Sequence, residues 1–435
     1  MTAPSKPTFK EAFQFWLKLG FISFGGPAGQ IGIMHEFLVE KKRWISDSRF
    51  LHALNYCMLL PGPEAQQLAT YIGWLFHGVR GGVVAGFLFI FPSLLILLGL
   101  SVAYVSFGKL VWVASIFYGL KPAVVAIVIL AMIKIGKKSL LSSFHYAVAA
   151  LSFVCIFFFN ISFPIIILAT ILLGAVGQVI FPRFFKQKSG SLKTDAEEST
   201  YYLNKFSEPV SAGLTWKSTS LKIAIGVLLW MIPISVFFVF RNDFEFWYVL
   251  SGFFTKAAFV TFGGAYAVLP YVAQESVEKF HWLSQYEMID GMALGETTPG
   301  PLIIILVFVG FMAGYNHGGS LLDGTLGLAT TAFYTFLPSF IFILVGAPLV
   351  ERTQEKERLK SILAIVTAAV VGVVLNLTIY FGKAVLFPSG IHSLPDGFSI
   401  AWLIVSFIAL YRFKVNIIVW IGISAVAGFL YQFIF

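Results

Sequence analysis

Apolar residues run along this chain in long blocks, and the polar positions between them are few and clustered. The block 111–133 carries a single charge, Lys121, and 223–240 carries none. The runs 146–181 and 400–435 are each long enough for two crossings. The first is broken at Asn160 and Pro164, the second at Arg412 and Lys414. A helical crossing takes about 20 mostly apolar residues. Backbone groups in hydrocarbon must be satisfied within the segment, so such blocks predict helices. The reading is an all-α polytopic membrane protein with roughly 13 membrane segments. The polar stretch 182–222, rich in Lys and Ser, reads as an exposed cytoplasmic linker.

The polar and glycine positions repeat. Phe24-Gly25-Gly26 returns as Phe262-Gly263-Gly264 and Pro61-Gly62-Pro63 as Pro299-Gly300-Pro301, both 238 residues later. Lys18, Glu40, Lys41, Trp44 and Ser46 meet the same residue types at that offset, and Pro92-Ser93 meets Pro338-Ser339 at 246. The expected organisation is therefore a first membrane repeat at 1–181, the linker at 182–222, a connecting helix at 223–241 and a second repeat at 242–435. Lys and Arg concentrate in cytoplasmic loops. Lys134, Lys137 and Lys138 follow the block 111–133, whereas Arg352, Lys356, Arg358 and Lys360 precede its counterpart. The halves thus carry inverted topology, the unpaired connecting helix supplying the odd crossing. The N-terminus is expected in the cytoplasm and the C-terminus outside.

Composition sharpens this picture. Of 435 residues 58% are hydrophobic and 12% charged, and the mean hydropathy is +0.85, far from a soluble domain. No small-residue cleavage site follows an apolar core near the N-terminus, so the first membrane helix is expected to serve as the insertion signal. Cys57 and Cys155 both lie in apolar stretches, which suggests neither a disulfide framework nor a thiolate metal site. The formal charge of +9 is read mainly as loop charge that sets orientation. Lys41, Lys42 and Arg43 with Trp44 read as an interfacial anchor. No nucleic-acid partner, cofactor or metal is implied. A membrane enzyme finds no support, because clustered ligands, a phosphate-binding loop and a nucleophile elbow are all absent.

Chemistry is expected where helices break. Pro61 and Pro63 interrupt any helix through them, and a short helix should restart at Pro63. The freed amides of Gly62, Glu64, Ala65 and Gln66 would then form an anion site at a helix N-terminus, and Gly300 and Leu302 would repeat it. Irregular backbone survives in a membrane only against protein or a water-filled cavity, so two symmetric breaks should converge near mid-membrane. Gly25, Gly26, Gly263 and Gly264 add positions where backbone amides can approach a tetrahedral oxyanion, and Pro27, next to the first pair, is a further candidate without an amide hydrogen of its own. Gln67, Thr297 and Thr298 are neutral donors near the breaks, equally suited to joining helices. Lys121, deep in its block, would neutralise either a divalent anion or an adjacent carboxylate. A carboxylate beside an anion site repels the anion when ionised and admits it when protonated. Glu64, Glu296 and His35 are accordingly the proton-coupling candidates, although Glu64 would also complement its helix dipole.

The strings Phe24-Gly25-Gly26-Pro27, Leu59-Leu60-Pro61-Gly62-Pro63-Glu64, Phe262-Gly263-Gly264-Ala265-Tyr266 and Glu296-Thr297-Thr298-Pro299-Gly300-Pro301 resemble the signature motifs of the chromate ion transporter family, in its long two-domain form. Met34-His35 and Lys121-Pro122 also resemble family positions. The resemblance implies a secondary transporter of the bacterial cytoplasmic membrane that exports chromate on the proton motive force and confers chromate resistance. Sulfate uptake or exchange and a passive anion channel are the alternatives, and the assembly leaves room for a homodimer.

Overall fold

A computed structural model describes residues 6–180, 201–203, 216–350, 357–390 and 392–434. Most of the 182–222 linker, Arg352, Lys356 and the side chains of Arg358 and Lys360 lie outside the described residues.

The described residues form sixteen α-helices and no strand. The first series is α1 (Phe9–Ile22), α2 (Gly26–His35), α3 (Asp47–Cys57), α4 (Glu64–Phe107), α5 (Val111–Ser139), α6 (Ser143–Phe159) and α7 (Phe163–Ile180). A lone α8 (Trp216–Phe240) follows. The second series is α9 (Phe244–Val260), α10 (Ala265–Gln274), α11 (Gln285–Thr297), α12 (Ile305–Gly318), α13 (Leu321–Val350), α14 (Glu357–Leu386), α15 (Gly397–Tyr411) and α16 (Ile417–Ile434). Non-helical angles at His77 and Gly78 divide α4 into 64–76 and 79–107. With that break counted, every helix of the first series has a counterpart in the second, and only α8 stands alone.

Local structure repeats in the same register. α2 and α10 both run into a single stretch of π-helix, Glu36–Lys41 and Glu275–Lys279. Arg43 and His281 follow with φ of 50° each. Trp44 and Trp282 then donate their amides back to Leu38 and Ser276, both at 2.8 Å. Ser46 and Ser284 cap α3 and α11, each hydroxyl accepting the amide three residues on, which satisfies one orphan donor of the first turn. The interfacial-anchor expectation fails at Trp44. Its ring is only 4% exposed and packs edge-on against Phe37 and Phe76, because the returning turn folds it inward onto α4.

Among the described residues, six helices are long and apolar enough to cross a membrane, and four shorter ones are also apolar. Their burial sorts them: 61% of the most apolar window of α5 is covered by protein, against 11% of that of α8. A helix apolar on every side yet uncovered has lipid as its solvent. The chain is a multi-pass membrane protein. At its centre α5 packs on α15 and α16 while its counterpart α14 packs on α6 and α7, and α5 also touches α14. Each series thus places its long helix against the other's terminal hairpin.

Candidate functional site

The Pro-Gly-Pro turns break the chain where expected. α4 begins at Glu64 with Pro63 as its cap, and α12 begins at Ile305 after a single 3-10 turn, Leu302–Ile304. The glycines take φ of 128° at Gly62 and 101° at Gly300, open to residues without a Cβ. Each turn is then held by the other series. The Gly62 amide donates to the Thr261 carbonyl at 2.8 Å, and the Gly300 amide donates to the Ser23 carbonyl at 2.7 Å. A Cβ on Gly62 would lie 2.2 Å from the Ser339 hydroxyl, and one on Gly300 would lie 2.1 Å from that of Ser93. The buried Gln30 amide also donates to the Gly300 carbonyl. The expectation that these two amides are free for an anion is therefore corrected. They join the two series, because a buried amide takes the nearest carbonyl rather than remain unpaired.

The other glycine pair faces open space. A cavity of about 1370 Å³ is lined by Gly25, Gly26 and Pro27 from one series and Gly263, Gly264 and Ala265 from the other. Gly25, Gly26, Gly263 and Gly264 all have φ between 70° and 98°. Gly25 and Gly264 cap α2 and α10, so two helix N-termini open into one cavity. Added Cβ atoms at Gly25, Gly26 and Gly264 would meet nothing within 4 Å. These bare positions leave room for a ligand at the backbone.

Charged side chains ring this space. Glu64 and Glu296 both line it, as does Tyr266, whose hydroxyl donates to Glu296 at 2.6 Å. Lys134, Lys137 and Lys138, from the end of α5, line it with Lys414 from the α15–α16 turn. His35 lies at the wall between two carboxylates, Nε2 at 2.6 Å from Asp47 and Nδ1 at 3.3 Å from Glu40. Thr367 of α14 closes the wall beside Gly263.

The remaining candidates lie away from the cavity. Pro63, Ala65 and Leu302 are buried behind the turns. Gln67 donates to the Pro61 carbonyl at 2.8 Å and Gln66 to the Thr70 hydroxyl at 3.1 Å, so both brace the start of α4. Thr297 and Thr298 donate to the Leu294 carbonyl at 2.7 and 2.8 Å, closing the last turn of α11. Lys121 meets a carboxylate: its Nζ is 3.5 Å from Asp290 Oδ1. Among the two roles open to Lys121, the structure displays the second.

Asp290, Tyr104, Tyr266, Thr367 and the lysines of the cavity wall are absent from the sequence-derived candidates. Tyr266 stands inside a quoted motif. The repeat could have flagged Asp290 and Lys121, whose counterparts His52 and Thr367 differ from them in charge.

A profile of the chromate transporter family matches residues 10–175 and 248–429. The chromate transport protein of Pseudomonas aeruginosa is 30% identical over 440 residues, covering 98% of this chain and 93% of that protein. The chromate transport protein of Cupriavidus metallidurans is 29% identical, covering 88% of this chain and 84% of its own. An uncharacterized transporter of Methanocaldococcus jannaschii is 28% identical over 99% of this chain and 96% of its own. No solved structure matches. Two matched stretches that take in nearly all of both helix series show that this chain belongs to the chromate transporter family.

Proposed function

We propose that the chain exports chromate from the cytoplasm by secondary transport driven by the proton motive force, with the glycine-lined cavity as its oxyanion site. The observation that carries this reading is the convergence of two helix N-termini, α2 and α10, on one cavity that also holds Glu64 and Glu296. Each helix N-terminus presents unpaired amides and about half a positive charge. Two such ends opening into one cavity suit a small dianion better than one, and bare glycines let its oxygens reach the backbone. Lys134, Lys137, Lys138 and Lys414 raise the local anion concentration. With Glu64 or Glu296 ionised beside the site, anion entry is opposed, and with it protonated, entry is allowed. Proton and anion then move together, and because one proton leaves the dianion with a net negative charge, the membrane-potential part of the proton motive force drives the pair outward.

The halves in this reading are 1–181 and 242–435, oppositely oriented, with 182–222 a cytoplasmic linker and 223–241 the connecting crossing. The cross-series bonds of Gly62 and Gly300 support a twofold relation, as does the reciprocal packing of α5 and α14. The cavity mouth, bordered by Lys134–138 and Lys414, then faces the cytoplasm.

Uptake of labelled chromate into everted vesicles tests the proposal. Energised vesicles should accumulate chromate, an uncoupler should abolish the accumulation, and excess sulfate should compete weakly. Downhill flux unaffected by the uncoupler would replace the pump with a channel. Stronger accumulation of sulfate would change the cargo.

A further inference from the structure

We propose that the ion pair between Lys121 and Asp290 is a latch that closes the transport path at the end away from the cavity mouth. The pair joins the two series, Lys121 on α5 to Asp290 on α11, at 3.5 Å. The Asp290 side chain is 6% exposed, and its second oxygen accepts the Tyr104 hydroxyl of α4 at 3.0 Å. The Lys121 ammonium also lies 5.0 Å over the ring of Tyr286, on the same helix as Asp290. Glu287, on the same helix, is the other carboxylate close enough to act on Asp290. Three helices are therefore tied together by one buried carboxylate.

The latch lies outside the cavity. Neither Lys121, Asp290, Tyr104 nor Tyr286 lines the cavity, whose wall on α5 begins at Ile127, six residues further on. At the helical rise this is about 9 Å along the axis. The repeat shows what stands at the matching place on the open side. Lys121 corresponds to Thr367, which lines the cavity, and Asp290 corresponds to His52. A threonine cannot form an ion pair, so one end of the path is tied by charge and its equivalent is not. Asp290 Oδ1 has no closer partner than the Lys121 ammonium at 3.5 Å, so the tie is chiefly electrostatic. A carrier with alternating access must open this end while the other closes, and a latch formed only in the cavity-open state biases that equilibrium. The latch does not depend on which anion is carried.

The test is the rate at which a bulky maleimide labels Ala364→Cys, a cavity position, in purified full-length protein with Cys57 and Cys155 replaced by alanine. No transported ion is present, so the result stands apart from the fate of the chromate proposal. Asp290→Asn and Lys121→Met should each slow labelling by about threefold or more, because the cavity-open population falls. Exchanging the two residues, Lys121→Asp with Asp290→Lys, should restore most of the rate. Tyr104→Phe, a milder change, should fall between and serves if the others do not yield monodisperse protein. Labelling at the parent rate in any monodisperse single-substitution variant of the latch would overturn the proposal.

Discussion

Gly62 and Gly300 show how much can rest on a missing methyl. Each combines a positive φ with a serine hydroxyl of the other series where its Cβ would sit. Gly300→Ala should therefore cost about 1–3 kcal/mol in backbone strain and about as much again in overpacking. In a thermal-shift assay it should melt well below the parent. Adding Ser93→Gly should recover the packing share and leave the backbone share, and full recovery would show that φ does not matter there. The carboxylates are separable in the same way. Glu64→Gln and Glu296→Gln keep size and polarity but cannot ionise. If either carries the coupling, that variant's chromate flux should lose its dependence on an imposed pH gradient, and unchanged dependence in both would remove the carboxylates from the mechanism.

Among the elements, the helix breaks are legible in the sequence because their chemistry is local. Asn160 takes φ 51° between α6 and α7, the conformation asparagine tolerates best after glycine. The Pro-Gly-Pro turns end helices for want of donors, and Ser46 and Ser284 start them. The break at Gly78 was not foreseen. It lies in the stretch His77-Gly78-Val79-Arg80-Gly81-Gly82, whose glycines suit close helix packing as well as a turn until the φ of 62° is seen. The role of Trp44 was misread because burial depends on where a turn sends the ring, which spacing alone does not fix. At the site, the glycine pairs follow from register and the two glutamates, which are out of register, from their places beside the helix breaks, but the partners of Gly62, Gly300 and Lys121 lie in the other half of the chain. Only the assembled bundle reveals them.

α8 offers a further test at this scale, since so little of it is covered by protein. Arg241 at its end donates to Asp243 at 2.9 Å and to Asp323 at 2.6 Å, anchoring the turn into α9 to the start of α13. Partial burial raises the Asp243 carboxyl, but hydrogen bonds and charge from Arg241 outweigh it and hold the group below the usual aspartate range. A depressed value means the clamp contributes fully above the unfolded value of about 3.9 and is lost as pH falls through the lower folded one. Arg241→Gln should therefore lower the melting temperature at pH 7 by a few degrees and make little difference near pH 3. An equal loss at both would assign the effect to packing.

Across the whole molecule, two helix series exchange their holding contacts. Each Pro-Gly-Pro turn is fixed by the opposite series, and each long central helix lies against the opposite terminal hairpin. Such exchange keeps the halves together while leaving the Gly25–Gly26 and Gly263–Gly264 turns free to line the space between them. The arrangement places fixed donors, mobile lysines and ionisable carboxylates around one chamber. It is the location of the anion in that chamber on which everything else depends. The most direct measurement is anomalous scattering at the chromium edge from chromate-soaked crystals of the full chain. A peak is expected between the N-termini of α2 and α10, within hydrogen-bond reach of the Gly26 and Ala265 amides. A peak elsewhere in the bundle, with none between those two helices, would contradict that placement.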